Sequence, residues 1–154
     1  LRRRGDEAPA PWRQPSLKPP AEHLRAYEAF CHESLWRLPE ADLLFGSALY
    51  RLPEGAPDLA GVRVVRPGWW LGTVRKGRFE PSHALALGLR LEEARRVLAL
   101  SPDDERTARY LRGEVLRAPG EAGWLLVAVA GYPLGWGKRV GDAVKNHYPR
   151  ALRG

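Results

Sequence analysis

The side chains best suited to binding a ligand lie in the C-terminal segment, residues 131–154. Lysine and arginine can neutralise phosphates, asparagine and histidine can hydrogen-bond sugars or base edges, and aromatic rings can stack on bases. Asp142 is the only acid in this segment, so its charge favours an anion. The sequence therefore predicts a platform for a phosphate backbone, with these contact residues: Trp136, Lys138, Arg139, Lys145, Asn146, His147, Tyr148 and Arg150.

Each of these residues also has an ordinary structural interpretation. Trp136 and Tyr148 fit core packing equally well, and the basic side chains fit a solvated surface. Asn146 and His147 fit a structural turn before Pro149. At the level of sequence these alternatives stay open.

A second basic group, Arg75, Lys76 and Arg78, surrounds a predicted β-turn and is a further candidate for contacts with phosphates. Trp69 and Trp70 precede it. Because consecutive strand residues point to opposite faces, at most one of them belongs to the core, and the other either stacks on a base or covers a domain interface. If both basic groups lie on one face of the protein, they form a binding surface. If they lie on opposite faces, their charge has no role in RNA binding and a scaffold function is favoured.

No residue pattern in the chain indicates catalysis or metal binding. There is no glycine-rich nucleotide motif, no phosphate-binding loop and no zinc-ligand spacing, and the four histidines are scattered. Cys31 is the only cysteine and has no paired ligand nearby, which favours a buried structural thiol. We therefore expect no catalytic, cofactor-binding or metal-binding residue in this chain.

Hydrophobic periodicity predicts a mixture of helices and strands. Trp124–Ala130 is an uninterrupted apolar run, typical of a strand buried on both faces. In the next strand, alternation puts Leu134 and Trp136 on one face, and Gly135 and Gly137 on the other, where a close neighbour is expected. Further helices are predicted at 21–35, from Ser82, at 91–100 and at 101–112, and further strands at 43–45, 48–52, 62–66, 69–75, 78–80 and 114–117.

The composition narrows the class of partner. The 154 residues carry a net charge of +7, which favours a polyanionic partner. One cysteine excludes an intrachain disulfide and indicates the cytosol, and the scarcity of Gln, Asn and Met fits a thermophile. Residues 1–20 have a Pro-rich linker composition, and the start at Leu1 suggests a piece of a longer polypeptide.

Two blocks of sequence resemble the C-terminal region of bacterial rRNA small subunit methyltransferase F, a family of Sun/Nop2-type RNA cytosine-5 methyltransferases. The blocks lie in the second half of the chain, in the family's order. The first comprises Leu71-Gly72 and 78–87 (RFEPSHALAL), and the second comprises 110–114 (YLRGE), Gly123-Trp124, 133–138 (PLGWGK), 145–149 (KNHYP) and Leu152-Arg153.

The resemblance implies an α+β fold, in which a helix, an antiparallel β-meander and further helices precede a PUA-like β-barrel module. It implies three parts: the linker at 1–20, a first C-terminal subdomain at 21–100 and the RNA-binding module at 101–154. The expected partners are 16S rRNA or the small ribosomal subunit and the protein's own catalytic domain, which would bind S-adenosylmethionine, and a monomer is expected. The alternative is a scaffold that packs on the catalytic domain without touching RNA.

Overall fold

A computed structural model describes residues 18–52 and 68–154. Most of the predicted Pro-rich linker and the predicted strand at 62–66, with Arg63 and Arg66, lie outside these residues. The described residues form an α+β fold, as predicted. No helix among them is long and apolar enough to cross a membrane.

Two sheets organise the described residues. A four-stranded antiparallel sheet has the order β1-β2-β3-β4, and a five-stranded sheet has the order β5-β7-β8-β9-β6, in which only β5 and β7 run parallel. The helices are α1 (Ala21–Ser34), α2 (His83–Gly88) and α3 (Glu105–Leu111), with single 3₁₀ turns at Leu91–Glu93 and Arg150–Leu152. The strands are β1 (Leu43–Phe45), β2 (Ala48–Arg51), β3 (Trp69–Arg75), β4 (Arg78–Pro81), β5 (Val97–Leu100), β6 (Leu116–Arg117), β7 (Gly123–Val129), β8 (Tyr132–Val140) and β9 (Ala143–Asn146).

The predicted helix at 91–100 is wrong. Its first residues make one 3₁₀ turn, in which the Glu93 carboxylate accepts a hydrogen bond from the Arg90 N–H at 2.8 Å. Ala94 is then held extended by a bridge to Leu35, and β5 pairs in parallel with β7. The spacing of apolar residues fits a helix locally, but pairing with a distant strand decides the outcome.

Two predicted helix starts have different outcomes. Ser82 caps α2 as predicted, since its hydroxyl accepts a hydrogen bond from the Leu85 N–H at 2.9 Å. The next helix begins later than expected, because Asp104 rather than Ser101 is its cap, with its carboxylate accepting from the Arg106 N–H at 2.9 Å. Gly113, with φ 88°, follows α3 in the left-handed conformation that ends helices.

A bulge in the β7–β8 hairpin changes which way one side chain points. Ala130 and Gly131 both have positive φ, as a tight hairpin turn requires. Val127 then pairs with Gly135 but Ala128 pairs with Pro133, so Leu134 is the extra residue of a bulge. The predicted alternation is therefore wrong for Leu134, which packs with a different group of core residues from Trp136.

The five-stranded sheet buries both of its faces. One face shares a core with α1, α2 and the four-stranded sheet, and the other packs against α3. Trp136 belongs to the first core, where it is 1% exposed and its indole N–H donates to the Ser82 carbonyl at 2.8 Å. On the second side, a Cβ at Gly135 would meet the Tyr110 hydroxyl, so the close neighbour expected there is the protein's own side chain.

Replacing Trp136 with Phe should lower the free energy of unfolding by about 2 kcal/mol, because it removes a buried hydrogen bond and leaves a space in the core. Trp70→Phe is the matched control, since that indole is 38% exposed. Replacing it should lower the free energy of unfolding by less than about 1 kcal/mol. Urea denaturation of both variants measures the difference, and equal losses would contradict the role given to Trp136.

Candidate nucleic-acid interface

Trp136 is a core residue and cannot stack on a base. Its ring meets Phe30 and Trp124 edge-on, with centroids 5.7 and 6.2 Å away. Its own carbonyl accepts a hydrogen bond from the Tyr110 hydroxyl at 2.8 Å. The predicted stacking role is therefore corrected, and the core interpretation holds.

Arg139 is also a structural residue, in contrast to the predicted phosphate contact. It is 8% exposed. Its Nε donates to the Ala118 carbonyl at 2.6 Å and its Nη1 to the Glu121 carbonyl at 3.0 Å, which ties the loop before β7 to β8. A guanidinium occupied in this way is not available to a ligand.

Asn146 and Tyr148 build the turn that was the alternative to an RNA contact. The Asn146 amide donates to the carbonyls of Tyr110 and Glu114, both at 2.9 Å, and its oxygen accepts from the Tyr148 N–H at 2.8 Å. The half-buried Tyr148 ring packs against His83 and Tyr110, with centroids 5.6 and 5.3 Å away. These contacts join β9 to the end of α3, so the predicted RNA-contact roles of both residues give way to structural ones.

Lys138 and His147 of the predicted set pack against Trp124, and Lys145 lies opposite Lys138. Strand register places Trp124 opposite Lys138, and Lys138 opposite Lys145, so the three side chains form a row across β7, β8 and β9. The Lys138 Nζ lies 5.2 Å from the centroid of the Trp124 ring, a cation–π contact. The His147 ring packs on the same indole at 4.6 Å. We call Lys138, Lys145 and His147, with the Trp124 ring beneath them, the lysine–histidine site.

The charges of the lysine–histidine site are not neutralised from within. Neither lysine forms an ion pair with a carboxylate of the described residues. Like charges directly opposite one another in a sheet are unfavourable. An anion placed between Lys138 and Lys145 would remove this repulsion, so the arrangement is suited to a phosphate group.

The second predicted group has the same character. Arg75 and Arg78 lie opposite each other at the end of the β3–β4 hairpin, and Lys76 occupies its turn with φ 50°. All three are exposed, and none forms an ion pair with a described carboxylate. We call these three residues the hairpin tip. Arg150, the last predicted contact, is exposed in the 3₁₀ turn near the C-terminus. It also forms no ion pair with a carboxylate of the described residues.

Glu80, on the β3–β4 hairpin, acts electrostatically on the lysine–histidine site. Strand alternation gives Glu80 and Arg78 the same face of β4. The Glu80 carboxylate is close enough to His147 to act on its pKa. Glu80 therefore has an electrostatic influence on the lysine–histidine site from the same face of β4 that carries Arg78.

Trp124 is the functional residue that sequence reasoning missed. It was assigned only to a buried strand, yet its ring supports Lys138 and His147. Counting residue pairs outward from the turn at Ala130-Gly131 would have placed Trp124 opposite Gly137, and the bulge at Leu134 shifts the register by one. Among residues 18–52 and 68–154 there is no group of three His, Cys, Asp or Glu side chains that could hold a metal ion.

Two comparisons with protein families cover most of the chain. Residues 29–89 match a family model described as the first C-terminal domain of the RsmF rRNA methyltransferase. Residues 97–154 match a second model, described as the PUA domain of methyltransferase RsmF. The second match includes the five-stranded sheet and the whole lysine–histidine site, so the predicted PUA-like module is confirmed.

We expect Arg139→Lys to destabilise the fold by about 1–3 kcal/mol, because a lysine cannot satisfy both buried carbonyls of the loop before β7. Lys138→Ala, one residue away, should change the free energy of unfolding by no more than about 0.5 kcal/mol. Chemical denaturation separates the two. If Arg139→Lys were as mild as Lys138→Ala, the loop would not depend on the guanidinium.

The lysine–histidine site should also make stability depend on pH. His147 is exposed as a residue, but partial desolvation of its ring, which packs on Trp124, lowers its pKa below the ordinary 6.5; Glu80 opposes the shift, and nearby Lys138, Lys145 and Arg153 add to it. Because the unfolded chain then takes up the proton first, stability is greatest above pH 6.5 and falls as the pH drops toward the folded-state pKa.

The measurement is the urea midpoint of the native chain and of His147→Gln between pH 7.5 and pH 5.5. The variant should lose less stability on acidification. The stability of His147→Gln should still fall somewhat on acidification, since burial also lowers the pKa of His83. Identical pH profiles for the two proteins would show that His147 does not contribute.

Proposed function

This chain belongs to the RsmF-type rRNA methyltransferases, of which it carries the C-terminal region, and we propose that its basic surface binds structured rRNA for the methyltransferase. The observation that carries the proposal is the pair of opposed, unneutralised lysines, Lys138 and Lys145, in the lysine–histidine site. Such a pair gains stability from a phosphate, which rRNA presents at every nucleotide.

The surface is suited to reading the backbone and shape of RNA rather than its sequence. The major groove of an A-form helix is too narrow for side chains, so a structured RNA is held mainly through phosphates and 2′-hydroxyls. In the proposed complex the lysine–histidine site holds one stretch of backbone, and the hairpin tip and Arg150 hold neighbouring phosphates. Two separated contacts would fix the orientation of the RNA as well as its affinity.

In this proposal the chemistry takes place elsewhere in the parent protein. The matched domains are C-terminal accessory parts of a methyltransferase. The substrate proposed is a cytosine of 16S rRNA, methylated at C5 in the cytosol, with S-adenosylmethionine bound by the methyltransferase domain. The residues described here bind and orient the RNA and take no part in methyl transfer.

A second candidate function is to support the methyltransferase domain by direct packing. Val115 and Val140 are 57% and 53% exposed, and both line one shallow depression beside β6 and β9. Apolar side chains grouped at a surface favour a protein contact. This function predicts no affinity of the chain for RNA, so one experiment distinguishes it from the first.

Affinity for a helix of small-subunit rRNA should fall steeply with salt, since each phosphate contact contributes a slope of roughly −0.7 to −0.9 in log K against log salt. The double variant Lys138→Ala/Lys145→Ala should flatten the slope by about 1.5 and weaken binding at every salt concentration. Fluorescence anisotropy over a salt series measures both quantities.

The matched control removes two arginines that already have carboxylate partners. Arg112 pairs with Glu114 at 2.8 Å and Arg117 with Asp142 at 3.7 Å, so Arg112→Ala/Arg117→Ala makes the same change in net charge. It should alter the slope much less. Equal effects of the two double variants would reduce the interface to net charge alone, and no binding at low salt would favour the packing function.

A further inference from the structure

One exposed aromatic ring lies outside the surface described above. Trp36 follows α1 and is 64% exposed, although a tryptophan of a folded domain is usually mostly buried. The guanidinium carbon of Arg95 lies 3.9 Å from the centroid of its ring. One face of the indole is therefore covered by a cation, and much of the remaining ring is in solvent.

Both members of this pair are held in place by the backbone. The Trp36 N–H donates to the Glu93 carbonyl at 2.8 Å, and the Arg95 N–H donates to the Ser34 carbonyl at 2.9 Å. The Arg95 Nε also donates to the Leu35 carbonyl at 3.0 Å. The guanidinium and the backbone of Trp36 are thus positioned before any ligand arrives, which reduces the conformational entropy lost on binding.

The charge around Trp36 favours a polyanion over an apolar protein surface. Glu93 is buried and forms ion pairs with Arg37 at 2.7 Å and with Arg90 at 3.7 Å. Arg90 also pairs with the exposed Glu92 at 3.7 Å. Three arginines, including Arg95, thus lie beside two acids, of which Glu93 is buried, so the group keeps a small excess of positive charge. A shallow cavity of about 140 Å³ lies beside the ring.

The Trp36 pair is connected to the lysine–histidine site through Arg96. Arg95 is followed directly by Arg96, whose Nη1 donates to the Trp124 carbonyl at 3.0 Å. The Trp124 ring supports Lys138 and His147.

We infer that Trp36, backed by Arg95, is a stacking site for an unpaired nucleobase of the bound RNA. Stacking on an aromatic ring accepts any base, and a guanidinium on the far side of the indole strengthens the platform through its positive charge. The site adds to, and rests on, the RNA binding proposed above. It gives the chain a preference for RNA that carries an unpaired base next to a structured element.

The test compares a labelled single-stranded RNA that cannot pair with itself and a fully paired duplex of the same length. Trp36→Leu, which removes the π surface but keeps an apolar side chain, should weaken binding of the single strand about tenfold and change duplex binding less than about twofold. Trp36→Phe should keep most of the affinity, because a smaller ring still stacks.

Tyr132→Leu is the matched control, since Tyr132 is 73% exposed and no cation among residues 18–52 and 68–154 lies over its ring. It should leave the affinity of both RNAs unchanged. The stacking site is overturned if Trp36→Leu binds the single strand as tightly as the native chain, which is the outcome expected of a ring that packs on another protein domain. It is also overturned if the single strand and the duplex weaken equally.

The outcomes separate this site from the proposed function. Binding of the duplex with a steep salt dependence, together with no effect of Trp36→Leu, removes the stacking site and leaves the phosphate surface intact. Absence of binding by either RNA at low salt overturns both.

Discussion

The fold depends on one buried indole, that of Trp136. Its ring packs with Phe30 of α1, its N–H donates to the Ser82 carbonyl at the start of α2, and its carbonyl accepts from Tyr110 of α3. All three helices are thus joined to β8 through a single residue. Since buried polar groups are costly unless paired, these bonds specify one arrangement of helices on the sheet.

The lysine–histidine site takes its rigidity from this arrangement. Lys138 lies two residues beyond Trp136 on the same strand, and the His147 N–H donates to the Trp136 carbonyl at 3.2 Å. Trp124, which packs edge-on against Trp136, forms the floor of the site. The basic side chains therefore project from a fixed base, and their mutual repulsion is offset by the stability of the core below.

The use of arginine divides the basic residues into two kinds. Arg139, Arg153 and Arg96 donate to backbone carbonyls and act as structural braces. The lysines of the lysine–histidine site and the residues of the hairpin tip have no described carboxylate partner. Arginine suits the first role because its planar fork can satisfy two carbonyls at once. The type of basic residue alone does not distinguish a structural brace from a side chain without a carboxylate partner, whereas its contacts do.

The sequence by itself determined the elements whose signals are local. It located α1, the strands β1 to β4, the cap of α2 and the long β7–β8 hairpin, because caps, turns and periodicity act within a few residues. Only the tertiary structure decided that 97–100 is a strand, that Leu134 is a bulge and that Arg139 and Asn146 are structural. Their partners lie in other segments, at 126–129 for β5, 127–128 for the bulge, 118–121 for Arg139 and 110–114 for Asn146. A local pattern carries no information about which remote carbonyl or strand will be adjacent. Long-range packing therefore determined which basic side chains remained exposed.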